Sequence, residues 1–560
     1  TYDSVQDTYN PITKVAKGEL MEKTQPYYKT TQQYSLNYKN TFNDLHDVEA
    51  LALWEWKETN TNWFMARRYY STTSAIPELD RGDVDNMYNE GNSAVYKYGG
   101  LVGRLNYVYA GKYMAEFSFR YDGSYKTAPD KRWGFFPAVS AGWRISEEQF
   151  MKDLVPQMDN LKLRASWGSI GNDSQLNASQ FVSGWQFEDR FILGGAGNSS
   201  ASITNGMKEA NLANPNITWY KVMTTNVGLD GSFWGGKLSF EFDYFYRKTT
   251  GYPATRNTSL PTTSGIPLPQ ENLNSSDNRG FELSLGTVQR IGNVNLQIKG
   301  NVAYAREKDL YKEQALPLNQ YKNWRDNGAY RWKNVTWGYE HIGQFQSYDE
   351  IYNSPIQDGK GNSSLRPGDI KYKDLNGDGL IDANDEKVIG KGTFPDLNFG
   401  LTLAADWKGF DVNILFQGAS NYTQVLNALT SPFRGPGEGN GFRVWMDSWH
   451  KADYNDPDSE WVPGKFPSLR IEGNDNNSKK STYWTTDAYY VRLKSIEIGY
   501  TIPKNLLSKV GIEHLRVYAN AYNPLTITNV KYTDPEAIEG WQSFYYPQLK
   551  VYSFGVNVSF

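Results

Sequence analysis

Residues 374–385 hold the densest concentration of oxygen ligands in the chain: Asp374-Leu375-Asn376-Gly377-Asp378-Gly379-Leu380-Ile381-Asp382-Ala383-Asn384-Asp385. This spacing follows the EF-type calcium loop. Asp374, Asn376 and Asp378 supply side-chain oxygens at the first, third and fifth positions. Gly379 sits where the loop must turn sharply, Leu380 offers its carbonyl, and Asp382 acts directly or through water. Asp385 stands in the last position, where Glu is usual. Its shorter reach makes two-oxygen ligation harder, which weakens Ca2+ or favours Mg2+. The expected role is structural, because no nucleophile lies near and catalysis is not implied.

Other chemistry is sparse. The chain has no cysteine and four histidines, His46, His341, His450 and His514, none at ligand spacing from another. Thiolate sites and disulfides are excluded, and a zinc enzyme is disfavoured. No nucleophile elbow, P-loop or H-E-x-x-H pattern occurs. Glu147 and Glu148 are adjacent carboxylates, but they follow an alternating segment and read as a solvated turn. Trp445, Trp449, Trp461 and Trp484 lie among Arg443, Asp447 and Asp453 in a long polar stretch. They suit sugar stacking or a protein partner; packing within a large folded loop is the simpler reading for each one.

The elements that must carry these residues alternate with period two. Leu238, Phe240, Phe242, Tyr244 and Tyr246 oppose Ser239, Glu241, Asp243 and Arg247. Val294, Leu296, Ile298, Val302 and Tyr304 oppose Asn295, Gln297, Lys299 and Asn301. Similar runs recur at 113–121, 161–167, 397–407, 515–522 and 552–560, the last ending on Phe560. Aromatics mark the ends of the apolar faces, at Tyr107, Tyr109, Tyr244, Tyr246, Tyr304 and Trp407. Short turns at 110–112, 234–236, 291–293 and 408–409 contrast with long polar segments at 58–94, 168–218, 248–277, 307–340 and 419–487. Two aromatic girdles and two unequal rims are the pattern of a membrane barrel. A sandwich has no reason to sort its loops this way.

Composition agrees. Mean hydropathy is −0.65, and no 18-residue apolar run exists, so helical spanning is excluded. A spanning strand needs only about 9–11 residues, half of them apolar, and escapes that average. Net charge is −4 without a basic stretch, which disfavours nucleic acid. The chain opens TYDSVQDTYN, with neither a basic start nor an apolar core, as expected of a processed or partial chain. The reading is all-β: one antiparallel transmembrane β-barrel domain over 1–560 with about fifteen strands, short periplasmic turns and long extracellular loops.

Several stretches resemble the C-terminal half of SusC/RagA-type TonB-dependent transporters: 132–150 (RWGFFPAVSAGWRISEEQF), 161–172 (LKLRASWGSIGN), 278–286 (NRGFELSLG), 367–418, 489–503 (YYVRLKSIEIGYTIP) and 517–528 (VYANAYNPLTIT). The resemblance implies a roughly 22-stranded plugged barrel in the outer-membrane lipid, with TonB coupled through the plug. It also implies a SusD-like surface lipoprotein lid and active import of glycans or oligopeptides. No plug or TonB box is recognisable, and the strands are too few to close that barrel. The N-terminal plug and barrel half is therefore expected on the same or another chain. A passive porin, an adhesive surface barrel and a soluble β-rich glycan-binding protein or hydrolase are the competing readings.

Overall fold

The computed structural model describes residues 2–3, 8–9, 18–70, 78–85, 87–178, 180–193, 202–256, 268–315, 317, 319–426, 429–430, 441–470, 475–507, 511–537, 546 and 548–560. One curved antiparallel sheet of barrel type dominates it. Strands Gly18–Thr24 and Tyr27–Phe42 pair with successive parts of His46–Tyr70 and count as one interrupted strand. From there the sheet runs through Tyr88–Tyr109, Tyr113–Ser124, Trp133–Arg144, Met158–Asn172, Tyr220–Phe233, Leu238–Thr255, Gln270–Ile291, Val294–Tyr311, Leu397–Trp407, Phe410–Val425, Thr485–Thr501, His514–Thr528 and Val551–Ser559. That makes fifteen wall strands among the described residues, the number the alternation predicts. Tyr27–Phe42 is exposed along its whole length, and Val551–Ser559 nearly so.

The apolar faces point outward. Leu105, Phe117, Val139, Phe242, Leu285, Ile498 and Val517 are all exposed. Neighbouring outward residues are in register, as in Leu105↔Phe117 and Phe117↔Val139. A protein in water would not display such a face; a protein in lipid must. Among the described residues no helix is long and apolar enough to cross a membrane.

Stacked aromatics outline both girdles. At the short-turn rim Tyr113 lies between Tyr109 and Trp143, with centroids 6.3 and 6.5 Å apart, and Phe410 lies between Trp407 and Tyr500 at 6.3 and 4.5 Å. At the opposite level Tyr121 stacks on Trp133 at 5.2 Å and Phe281 on Tyr304 at 5.9 Å. From Val294 to Tyr304 is ten residues; at about 3.3 Å each and a tilt near 40°, the band is about 25 Å tall.

The short-turn rim carries two-residue to four-residue connections at 43–45, 110–112, 234–237, 292–293 and 408–409. Lys408 and Gly409 both have positive φ, 47° and 88°, the left-handed pair that a tight hairpin requires. A Cβ on Gly409 would meet the Thr501 carbonyl oxygen at 2.7 Å, so glycine is demanded twice over.

The long polar segments need correction at their edges. Residues 58–70, 88–94, 248–255, 270–277 and 307–311 are strand, not loop. The hairpins continue past the aromatic level, because backbone pairing persists in water after the apolar faces have ended. On that rim successive wall strands are joined through 71–87, 125–132, 173–219, 256–269, 312–396, 426–484 and 529–550, whose described parts include minor strands and helical turns.

Leu285 is outward at mid-band and Ser284 faces the lumen. Leu285→Arg is expected to cost about 2–4 kcal/mol, whereas Ser284→Arg should cost well under half of that. Denaturant unfolding of the full-length protein in lipid vesicles measures both.

Candidate functional site

The lumen face inherits the polar residues of every strand. Arg164 lies between Asp230 and Asp243 and donates two hydrogen bonds to each, at 2.6–3.0 Å. Arg516 pairs with Asp411, and with Glu497 at 2.7 Å. Arg104 meets Glu49 at 2.9 Å. Arg120 holds Asp122 at 2.8 Å and approaches Glu55 at 3.5 Å. Each group joins different strands or neighbouring positions, so the wall offers a surface of paired charges in which carboxylates outnumber the arginines.

Above the lumen, segments 312–396 and 426–484 fold against each other. Ile370, Tyr372, Ile381, Leu429, Trp445, Phe466 and Trp484 form a buried cluster. Asn476 and Asn477 staple the two segments. Asn477 accepts the Ile370 N–H at 3.0 Å and donates to Asp369 at 2.8 Å. Asn476 donates to the Ile370 carbonyl at 3.0 Å, and its own carbonyl accepts the Tyr372 hydroxyl at 2.7 Å. Trp484 donates its indole N–H to the Asn477 carbonyl at 2.7 Å. Arg470 pairs with the fully buried Asp369. This mass buries Trp445, Trp449 and Trp484. Trp461 is half-buried, with the Lys451 ammonium 4.9 Å from its ring. The three buried tryptophans are therefore packing elements of a folded cover and not open sugar platforms.

The 374–385 loop sits in the same cover. The Asp374 carboxylate accepts the N–H groups of Gly377 and Gly379 at 2.7 and 2.9 Å. Asn376 accepts from the Asp378 N–H, and Asp378 from the Leu380 N–H. Asp382 accepts from the Asn384 N–H at 2.7 Å. Asp385 is fully buried and closes the loop, accepting from Leu375 and Asp382 at 2.8 and 2.9 Å. The donors are the hard oxygens a divalent cation takes. Among the described residues no three His, Asp or Glu side chains are gathered into one cluster; each carboxylate here keeps acceptor sites beyond its backbone N–H bonds. Glu147 pairs with Lys152 at 3.0 Å, and Glu148 accepts from the Tyr113 hydroxyl and the Trp143 indole at 2.5 and 3.2 Å. The pair straps the short-turn rim.

Asp358 was not singled out by its sequence context. Burial works to raise its carboxyl pKa. The N–H and hydroxyl of Ser364, with the N–H groups of Lys360 and Asn362, outweigh that and hold it at about 2. Only the folded loop assembles these donors. A carboxyl depressed by folding contributes stability above its ordinary value near 3.8 that is lost as pH falls to about 2. Protection of 353–370 from pepsin should accordingly fall between about pH 4 and 2, and Asp358→Asn should remove that dependence. Trp484→Ala, which empties the cover's cluster, should cost about 3–5 kcal/mol, read as faster hydrogen exchange across 441–484 with the barrel strands unchanged.

Comparison with known proteins follows this geometry. The family model described as "TonB dependent receptor-like, beta-barrel" matches residues 1–524. TonB-dependent receptor P3 of Formosa agariphila is 28% identical over 99% of this chain and 55% of its own length. TonB-dependent receptor SusC of Bacteroides thetaiotaomicron is 26% identical over 82% of this chain and 43% of its own. The RagAB peptide importer in its open-open state superposes with a TM-score of 0.76 at 21% identity, over 98% of this chain and 56% of that one; that likeness speaks to fold. The chain spans about half the length of the curated relatives it matches. An outward apolar band, a charged lumen, unequal rims and a family match over nearly the whole chain together place it as an integral outer-membrane protein that belongs to the TonB-dependent receptor β-barrel family.

Proposed function

We propose that this chain is the barrel and extracellular portion of a SusC-like importer that takes up an oligomeric nutrient, a glycan or an oligopeptide, by energised transport. The observation that carries the reading is a lumen of paired charges beneath a folded extracellular cover, in a barrel of the TonB-dependent receptor family. Paired charges along the wall suit a polar, weakly charged oligomer that must slide and not lodge. The exposed flanks at Tyr27–Phe42 and Val551–Ser559 suit further strands and a plug contributed by an N-terminal half, through which TonB would pull. A SusD-like lipoprotein would seat on the cover as a lid.

In the same reading the 374–385 loop takes a structural Ca2+ or Mg2+. Asp374, Asn376, Asp378, the Leu380 carbonyl, Asp382 and Asp385 would hold it. The spacing of oxygens supports this.

Gentle detergent extraction of the full-length protein should bring a lid lipoprotein with it, and deletion should abolish uptake of one glycan or peptide class. Loss of that uptake without TonB is expected. Uptake that persists without TonB, together with stable single-channel conductance, would replace the importer by a passive porin. For the loop, 1 mM Ca2+ should raise the cover's melting temperature by several degrees over chelator, and Asp378→Ala should abolish the rise; equal melting in both would remove the cation.

A further inference from the structure

Above the apolar band, the outward face of three adjacent strands changes character within two residues. The topmost apolar row is Tyr244, Phe281 and Tyr304, side by side in register. Two residues higher on the same face the row reads Tyr246, Arg279 and Arg306. Two higher still it reads Lys248, Asp277 and Lys308, with Trp332 paired to Lys308. Period-two parity puts these side chains on the lipid side of the wall. Two to four residues above Tyr304 is about 5–10 Å of height, which is the headgroup layer of the outer leaflet.

The cations converge on one ring. The guanidinium of Arg306 lies 4.4 Å from the centre of Trp332, that of Arg279 5.8 Å away, and the Lys308 ammonium 5.9 Å away. Arg279 also lies over Tyr246 at 5.5 Å. Two carboxylates balance part of this charge. Asp277 holds Arg279 at 2.6 Å and Asp396 approaches Arg306 at 3.6 Å. Both acids are buried, at 1% and 7% exposure, so what faces outward is the cations. Among the described residues neither Lys248 nor Lys308 has an acidic partner. Four cations against two buried acids leave a net positive surface one layer above lipid-facing aromatics, at a height where phosphate is the abundant anion.

We propose that Lys248, Arg279, Arg306 and Lys308, with Trp332 and Tyr246 as an aromatic shoulder, bind the phosphorylated headgroup of an outer-leaflet lipid. The phosphate would be held by Arg279, Arg306 and Lys308, while the lipid's chains lie on Phe281, Tyr304 and Leu285 below. Charge complementarity and continuity with the apolar band choose a lipid over a soluble partner, since any bound phosphate here sits directly over a hydrocarbon-facing surface. Basic groups near an anionic membrane surface attract it with an affinity worth roughly fivefold each.

The test uses the full-length protein in nanodiscs. Native mass spectrometry after transfer from phosphatidylcholine containing one-fifth phosphatidylglycerol or bisphosphorylated lipid A counts the anionic lipid retained. Wild-type protein should retain it, and R279Q/R306Q/K308Q should lose it roughly fivefold for each cation removed. Lys299→Gln, which faces the lumen, should retain it fully. If the triple variant does not fold, K308Q alone, whose ammonium has no internal acid, should still lower retention about fivefold. Equal retention by the variants and the wild type, or retention of phosphatidylcholine as strongly as of the anionic lipid, overturns the proposal. So does release of the lipid by inorganic phosphate at equimolar concentration, which would mark a free-anion site.

Discussion

In a hydrocarbon layer no water is available to satisfy a backbone N–H or C=O, and each one left unpaired costs several kcal/mol. Everything else in this molecule depends on that constraint. It requires the unbroken antiparallel ladder from Tyr27–Phe42 to Val551–Ser559, and the ladder in turn imposes alternation. Residues such as Phe117, Leu285 and Val517 must meet lipid, and so Arg164, Arg120 and Arg516, one step out of phase, must meet the lumen. The lumen's charge is the other side of the same strands. Because those cations find acids on their own strand or within two strands, the wall stays polar without becoming a trap.

The fold was legible because lipid demands a strict period. Strand count, the two girdles and the unequal rims were all readable from runs such as 238–246 and 294–304. Strand ends were not. Lys248, Asp277 and Lys308 read as loop because polarity takes over there, yet they remain in the ladder. Polarity reports where the membrane stops; hydrogen bonding reports where the strand stops, and the two lie several residues apart. The same confusion hid the cation cluster around Trp332, although continuing the parity of 294–304 to 306 and 308 would have placed both side chains on the outer face.

The cover was the least legible part. Its stabilising contacts join Asp369 to Asn477, Ile370 to Asn476, and Arg366 to Ser468, each about a hundred positions apart in sequence, and no periodicity announces them. The tryptophans were visible as a cluster but not their direction, which is inward. The 374–385 pattern was the sharpest local signal in the chain. What spacing could not convey is that Asp385 turns into the interior and accepts the N–H groups of Leu375 and Asp382.

The strands that rise beyond the apolar band form a collar held upright by main-chain pairing. Main-chain pairing is indifferent to side-chain identity, so long as neither proline nor a break intervenes. Residues 58–70 and 88–94 can therefore change their exposed chemistry without changing height or spacing. A surface built this way admits different exposed chemistry at fixed height, whereas in the lumen below it each arginine is held to particular acids. Above the plane of the upper aromatic ring, height is set by the main chain and surface chemistry by the side chains, and the two are free of one another.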